Sequence, residues 1–202
     1  MRLSRRSLLH MVAAASALPV LNSAHADDPR TTERSFGRPD AKVIVIEYFS
    51  LTCTHCAAFS RETMPAIRTQ FVEPGKVRFV YRDFPLDQVA LTAAMVARAL
   101  PAERYESFIT ALFASQDRWA FARGVNNTEE LWKMAALAGM TRGVFDSAVT
   151  DNALKDFVLH EQDEGTKKWG IDSTPSFIVN GQKTAGSMSF DAFKKLVNDA
   201  GA

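Results

Sequence analysis

Cys53 and Cys56 are the only two cysteines in a chain of 202 residues, and only three residues separate Cys53 from a seven-residue, largely apolar run. Val43-Ile44-Val45-Ile46-Glu47-Tyr48-Phe49 is continuous in β-branched and aromatic residues. That pattern suits a strand covered on both faces, in the middle of an α/β sheet. A helix is expected to begin at about Cys53 and to run through Ala57, Phe59, Met64, Ile67 and Phe71. Pro65 should kink it, because proline lacks the N–H and clashes with the preceding turn. The cysteine pair is therefore expected at a strand-to-helix junction.

Composition narrows the class. The chain carries 24 Lys and Arg against 23 Asp and Glu, a formal net charge of +1, so no broad attraction to nucleic acid or to an acidic membrane is implied. With 47% hydrophobic residues it is neither disordered nor collagen-like, and two cysteines do not make a disulfide-dense scaffold. The length suits one domain, or one domain with an insertion, with a sizeable core of its own.

Residues 1–26 read as an export signal. Arg2, Arg5 and Arg6 form a basic start without acids, Leu8 to Leu21 is a short apolar stretch, and Ala24-His25-Ala26 is a small-residue cleavage site. The apolar stretch is too short and too interrupted for a membrane span. Ser4-Arg5-Arg6-Ser7-Leu8-Leu9 resembles a twin-arginine (Tat) signal, with a Sec signal or an uncleaved anchor as the alternatives. Without residues 1–26 the chain holds 21 basic and 23 acidic side chains, a net charge of −2. No second long apolar run follows, so a soluble product is expected. In a Gram-negative cell its compartment would be the periplasm, which is oxidising.

Further along, Asp27 to Ala41 reads as a polar arm ending in a short strand near Ser35-Phe36, and Val77 to Tyr81 as a second strand. From Leu86 to about Asp151 the pattern is helical: Tyr105, Phe108, Ile109, Leu112 and Phe113 share one face, as do Leu131, Met134, Ala135 and Ala138. Asn127 with Glu130 reads as a helix start and Gly139 as its stop. Val144, Phe145, Ala148 and Val149 add a short stripe, and a longer helix is expected over 153–169. Phe177-Ile178-Val179, Asn180-Gly181 and Gln182-Lys183-Thr184 make a β-hairpin with a type I′ turn. A last helix carries Phe190, Phe193, Leu196 and Val197.

The chemistry is expected at Cys53-Thr54-His55-Cys56. A cysteine at a helix N-terminus meets free N–H groups and the positive end of the dipole, which lowers its pKa. His55, as an imidazolium or a donor, would stabilise the Cys53 thiolate further. A stabilised reduced form makes the disulfide a strong oxidant. Cys53 is then the sulfur that a substrate thiolate attacks, and Cys56, one turn in, is the more buried partner. The competing readings are a structural disulfide, which stabilises little across so short a loop, and part of a zinc or copper site. Zinc needs about four ligands, and beyond residue 26 the histidines are His55 and His160 alone. Glu47, an acid inside an apolar strand, would have its pKa raised by burial and shuttle protons to or from Cys56; a wet strand end is the alternative. Thr174-Pro175 opens the strand that leads into the hairpin. If that bond is cis, the Thr174 backbone stands beside the disulfide, free to pair with an extended peptide.

Glu47-Tyr48-Phe49-Ser50, Cys53-Thr54-His55-Cys56 and Thr174-Pro175-Ser176-Phe177, with a helical block between them, resemble the DsbA family of thiol:disulfide oxidoreductases. The resemblance covers nearly all of the chain after residue 26. It implies an α/β thioredoxin fold with an inserted all-helical domain: residues 27–85 and 152–202 thioredoxin-like, residues 86–151 the helical insertion. It implies Cys53 as nucleophile, Cys56 as resolving thiol, Glu47 as the buried acid and Pro175 as a cis-proline, with Thr54, Thr174 and Pro175 meeting the substrate. It also implies no cofactor and no metal. Substrates would be reduced or unfolded exported proteins, and a DsbB-like membrane protein would reoxidise the pair.

The sequence departs from the family pattern at two places. Thr54 stands where many members have proline, and Thr174 where the best-known oxidases have valine; both positions tune redox poise. Threonine before the cis-proline also occurs in DsbC-type isomerases, so an isomerase or reductase is the alternative activity. Those proteins carry a sizeable N-terminal dimerisation domain, and residues 27–41 are too short for one, which favours a monomeric oxidase.

Other conspicuous residues read as structural. His160 is expected on a helix surface or packing face, and Met95, Met134 and Met140 in packing; Trp119 and Phe121 either cap the helical block or border a substrate groove, with packing the expected role. Arg78 and Arg82 alternate along a strand and are expected to be solvated.

Overall fold

The computed structural model describes residues 28–202, and the export-signal reading of residues 1–26 lies outside them. The strands are β1 (Arg34–Phe36), β2 (Val43–Phe49), β3 (Val77–Asp83), β4 (Ser176–Val179) and β5 (Gln182–Ala185). They form one sheet in the order β1-β3-β2-β4-β5. β2 and β3 are parallel, and the other pairs are antiparallel. The apolar run thus lies at the sheet's centre, where its β-branched residues are covered on both sides.

Alternation sorts the side chains of β2. Val43, Val45 and Phe49 enter the main core, whereas Tyr48 joins a smaller cluster with Phe84, Ile171 and Ile178 on the other face. That second face is covered by α8 (Asn152–Trp169). The approach is close: a Cβ on Gly165 of α8 would stand 2.5 Å from Tyr48 Cε1, so only glycine lets this helix pack there. The β4–β5 hairpin turns through Asn180 (φ 44°) and Gly181 (φ 87°), the two positive angles that a type I′ turn requires.

The helix after β2 is two helices. α1 (Thr54–Glu62) ends at Thr63 and α2 (Met64–Ile67) follows, continuing into a π-type turn over Arg68–Val72. Pro65 sits in the first turn of α2, where a missing N–H breaks no intrahelical bond. The single kinked helix read from the sequence is resolved in this way.

Between β3 and α8 come α3 (Gln88–Ala99), α4 (Ala102–Ala114), α5 (Gln116–Trp119), α6 (Asn127–Leu137) and α7 (Arg142–Thr150). The expected face of α4 is buried throughout, from Tyr105 to Phe113, and it shares one continuous apolar core with Val43, Val45 and Phe49 of the sheet. α6 starts one residue earlier than its sequence signal: Asn126 is the cap, accepting from the N–H groups of Thr128 and Glu129. Asn127 instead donates to the carbonyls of Trp119 and Ala120. Trp119, Met95 and Met140 are buried as expected, His160 is on the surface, and Phe121 is exposed rather than packed. Arg78 and Arg82 are not simply solvated, because both pair with Glu33, and Arg82 also with Glu161.

A last helix, α9 (Phe190–Asp199), buries Phe193 and Val197 against the sheet face that carries α1.

One ionic cluster ties these layers together. Arg98, at the end of α3, is fully buried and pairs with Asp83 at the end of β3 and with Glu161 of α8, the latter at 2.5 Å. Its remaining N–H groups donate to the carbonyls of Arg30 and Thr32, so it also holds the N-terminal arm. Nothing in the local sequence marks these three residues as partners. Replacing Arg98 by Met leaves the buried Asp83 without its cation and Glu161 with Arg82 alone. The expected loss is about 3–5 kcal/mol of stability, read from urea unfolding at pH 7. A loss below about 1 kcal/mol, the range of exposed ion pairs, would show that the cluster is not a structural tie.

Candidate active site

The loop from Ser50 to Thr52 delivers Cys53 to the start of α1. Cys53 N–H donates to the Ser50 carbonyl at 3.0 Å, and Leu86 N–H donates to Ser50 Oγ at 3.3 Å. Thr52 Oγ1 donates to Asp87 Oδ2 at 2.7 Å, and Asp87 caps α3 through Ala90 N–H. From the other side, Gln116 Nε2 of α5 donates to the carbonyls of Leu51 and Cys53 at 2.7 and 3.1 Å. Sequence reasoning missed Thr52, Asp87 and Gln116, since each is an ordinary polar residue until the fold brings it to this loop.

Cys53 is the N-cap of α1, and its Sγ accepts from Cys56 N–H at 3.3 Å. Both cysteines are free thiols. Cys53 is 8% exposed and Cys56 fully buried, so Cys53 is the sulfur that another molecule can reach. The Cys53 pKa is lowered to about 5, first by the Cys56 side chain donating to it, then by Thr174 and by the N–H groups of Cys56 and His55. These donors outweigh burial, which acts in the opposite direction. The Cys56 pKa is pushed well above its ordinary value by burial and by donating to Cys53, with the Glu47 charge adding to the effect.

The Thr174–Pro175 bond is cis. It sets the Thr174 carbonyl 3.3 Å from Cys53 Sγ, which donates to it as a thiol. The Thr174 hydroxyl is buried with no partner beside the thiol. It becomes a donor to sulfur once Cys53 ionises. Pro175 is buried, and Thr54 is exposed on the first turn of α1.

Glu47 lies on the central strand between Tyr81 of β3 and Phe177 of β4, and is 3% exposed. The wet strand end is therefore excluded. Burial, with a smaller effect from Cys53, raises its pKa to about 8. At pH 7 it is a carboxylic acid able to give up a proton close to the cysteine pair.

His55 differs from the sequence expectation. Its side chain is exposed, and its effect on Cys53 comes through the backbone N–H. Among the described residues, no group of three or more His, Cys, Asp or Glu is placed to hold a metal ion.

Comparison with known proteins fits this geometry. The family model described as Thioredoxin matches residues 30–199. The crystal structure of α-DsbA1 from Wolbachia pipientis superposes with a TM-score of 0.76 at 30% identity, covering 84% of this chain and 92% of that one. The chain belongs to the DsbA branch of the thioredoxin family. BdbD from Bacillus subtilis, in its oxidised form, shares the fold at a TM-score of 0.73 and 19% identity, over 83% of this chain and 92% of that one. A Rickettsia bellii protein named as a protein-disulfide oxidoreductase is 28% identical over 149 residues, 73% of this chain. The match spans 57% of that relative's own length.

Two titrations follow from this DsbA-type site. In the reduced protein, thiolate absorbance should rise with a midpoint of about pH 5, as Cys53 ionises and Cys56 does not. A midpoint near the ordinary thiol value would contradict the donor arrangement. Glu47 binds its proton more tightly folded than unfolded, so it lowers stability as pH rises from about 4.5 to about 8. Glu47→Gln should remove that loss, a gain of about 4 kcal/mol in urea unfolding at pH 8 and little at pH 4. An equal effect at both pH values would contradict the raised pKa.

Proposed function

We propose that the chain is an exported thiol:disulfide oxidase that donates its Cys53–Cys56 disulfide to reduced or unfolded proteins in the periplasm. The carrying observation is the pairing of opposite shifts on neighbouring sulfurs: Cys53 down to about 5, Cys56 far up. Such a pair is stabilised when reduced, so its disulfide gives up its bond readily.

A substrate thiolate attacks Cys53 Sγ, forms a mixed disulfide and breaks the bond to Cys56. The Cys56 thiolate takes a proton from the Glu47 carboxylic acid, consistent with the high proton affinity of both groups. A second substrate thiolate attacks the substrate sulfur of the mixed disulfide. The substrate disulfide closes, two electrons pass to the protein, and Cys53 leaves as a stable thiolate. Thr174 and Pro175, with the exposed Thr54, border the place where the substrate chain lies, and His55 assists the Cys53 thiolate through its backbone N–H. With no third cysteine in the chain, exchange must be with another molecule. A DsbB-like membrane protein would reoxidise the pair.

In this reading residues 1–26 are the export signal, by the Tat or Sec route. Residues 27–85 with 152–202 form the thioredoxin-like domain of a monomer, and residues 86–151 form the helical insertion over the site.

The oxidised protein should oxidise a reduced two-cysteine peptide stoichiometrically; offered the same peptide as its disulfide, reduced Cys56→Ser should be trapped as a mixed disulfide through Cys53, where Cys53→Ser forms none. A protein that fails in this reaction but readily reduces insulin, or that refolds scrambled ribonuclease as a dimer, would place it among the reductases or isomerases.

A further inference from the structure

We propose that Gln116 is a positioning residue for the active-site sulfur: its Nε2 clamps the carbonyls of Leu51 and Cys53 and so fixes the direction in which Cys53 Sγ points. The proposal rests on the exchange chemistry assigned to Cys53.

Both groups that Gln116 meets are acceptors, so its amide nitrogen must face them and its orientation is decided by chemistry. Gln116 is 7% exposed and Leu51 1%, so neither bond can be replaced by bulk water. Without Gln116 the Leu51 carbonyl is a buried acceptor facing an apolar side chain, which costs more than the bond itself contributes. The Cys53 carbonyl is shared between Gln116 and the first α1 bond, from Ala57 N–H at 3.1 Å. The Cys53 carbonyl is therefore held on two sides, which fixes the backbone, and with it the Cα–Cβ direction, from which Sγ reaches Cys56 N–H and the Thr174 carbonyl.

The clamp is rigid because α5 is anchored independently. Trp119 Nε1 donates to the Leu112 carbonyl at 2.8 Å, and Asn127 Nδ2 holds the carbonyls of Trp119 and Ala120 at 2.9 and 2.8 Å. Gln116 thus carries the position of the helical block into the cysteine loop, while touching neither sulfur.

The test compares Gln116→Leu, which keeps the volume but removes both donors, with Val197→Ala, which opens a cavity under α9 and leaves α5 and its bonds in place. Thermal melting and thiolate absorbance against pH are recorded for both variants and for wild type, each reduced. Both variants should melt earlier. Only Gln116→Leu should move the Cys53 midpoint, upward by about half to one pH unit, a roughly threefold to tenfold fall in the ionisation constant. In the wild type, the side-chain amide signals of Gln116 in NMR should shift with the same midpoint as Cys53. An unmoved midpoint in Gln116→Leu would overturn the proposal, as would an equal shift in Val197→Ala. Where Gln116→Leu does not fold, wild-type amide signals flat across the Cys53 titration would overturn it. The exchange reading itself fails on a different result, a wild-type protein with no acidic thiolate at all.

Discussion

The contact between Cys53 and Cys56 decides much of what this protein can do: Cys56 serves the Cys53 sulfur with its thiol first and with its backbone N–H as well. Cys56 N–H, free because it lies in the first turn of α1, donates to Cys53 Sγ at 3.3 Å. The helix start thus stabilises charge on one sulfur while the same turn buries the other. The two cysteines cannot both be comfortable anions, and the asymmetry between them is the chemical resource of the site. Everything else in the fold fixes the loop that brings Cys53 to that N–H.

The support comes from distant parts of the chain. The central strand supplies the loop and Glu47, the cis Thr174–Pro175 bond supplies the carbonyl and hydroxyl facing the sulfur, and α5 supplies Gln116. Arg98 joins β3, α3, α8 and the N-terminal arm in one buried cluster. The helices between β3 and α8 are held to the sheet by that cluster and by a continuous apolar core. The site is precise because its loop is gripped from two layers at once.

What could be read in the sequence was local or strongly patterned. The apolar run of β2, the apolar face of α4, the Asn180-Gly181 turn and the cysteine motif each carry their signal within a few residues. Glu47 stood out because an acid in an apolar strand is costly unless it has work to do. The unread parts are long-range: Arg98 with Glu161 and Gln116 with Cys53 each join residues more than 60 positions apart. The reading of His55 missed for another reason. Spacing placed it in the loop but could not say that its ring points to solvent while its N–H serves the sulfur. The exposure of Phe121 and the pairing of Arg78 and Arg82 with Glu33 were hidden in the same way, since neither follows from residue type.

Stabilisation of the reduced pair over its disulfide is recorded in the reduction potential of the Cys53–Cys56 couple. Equilibration with glutathione mixtures at pH 7 should give an oxidising value, above about −200 mV. A value below about −300 mV, the range of inert structural disulfides, would contradict the account.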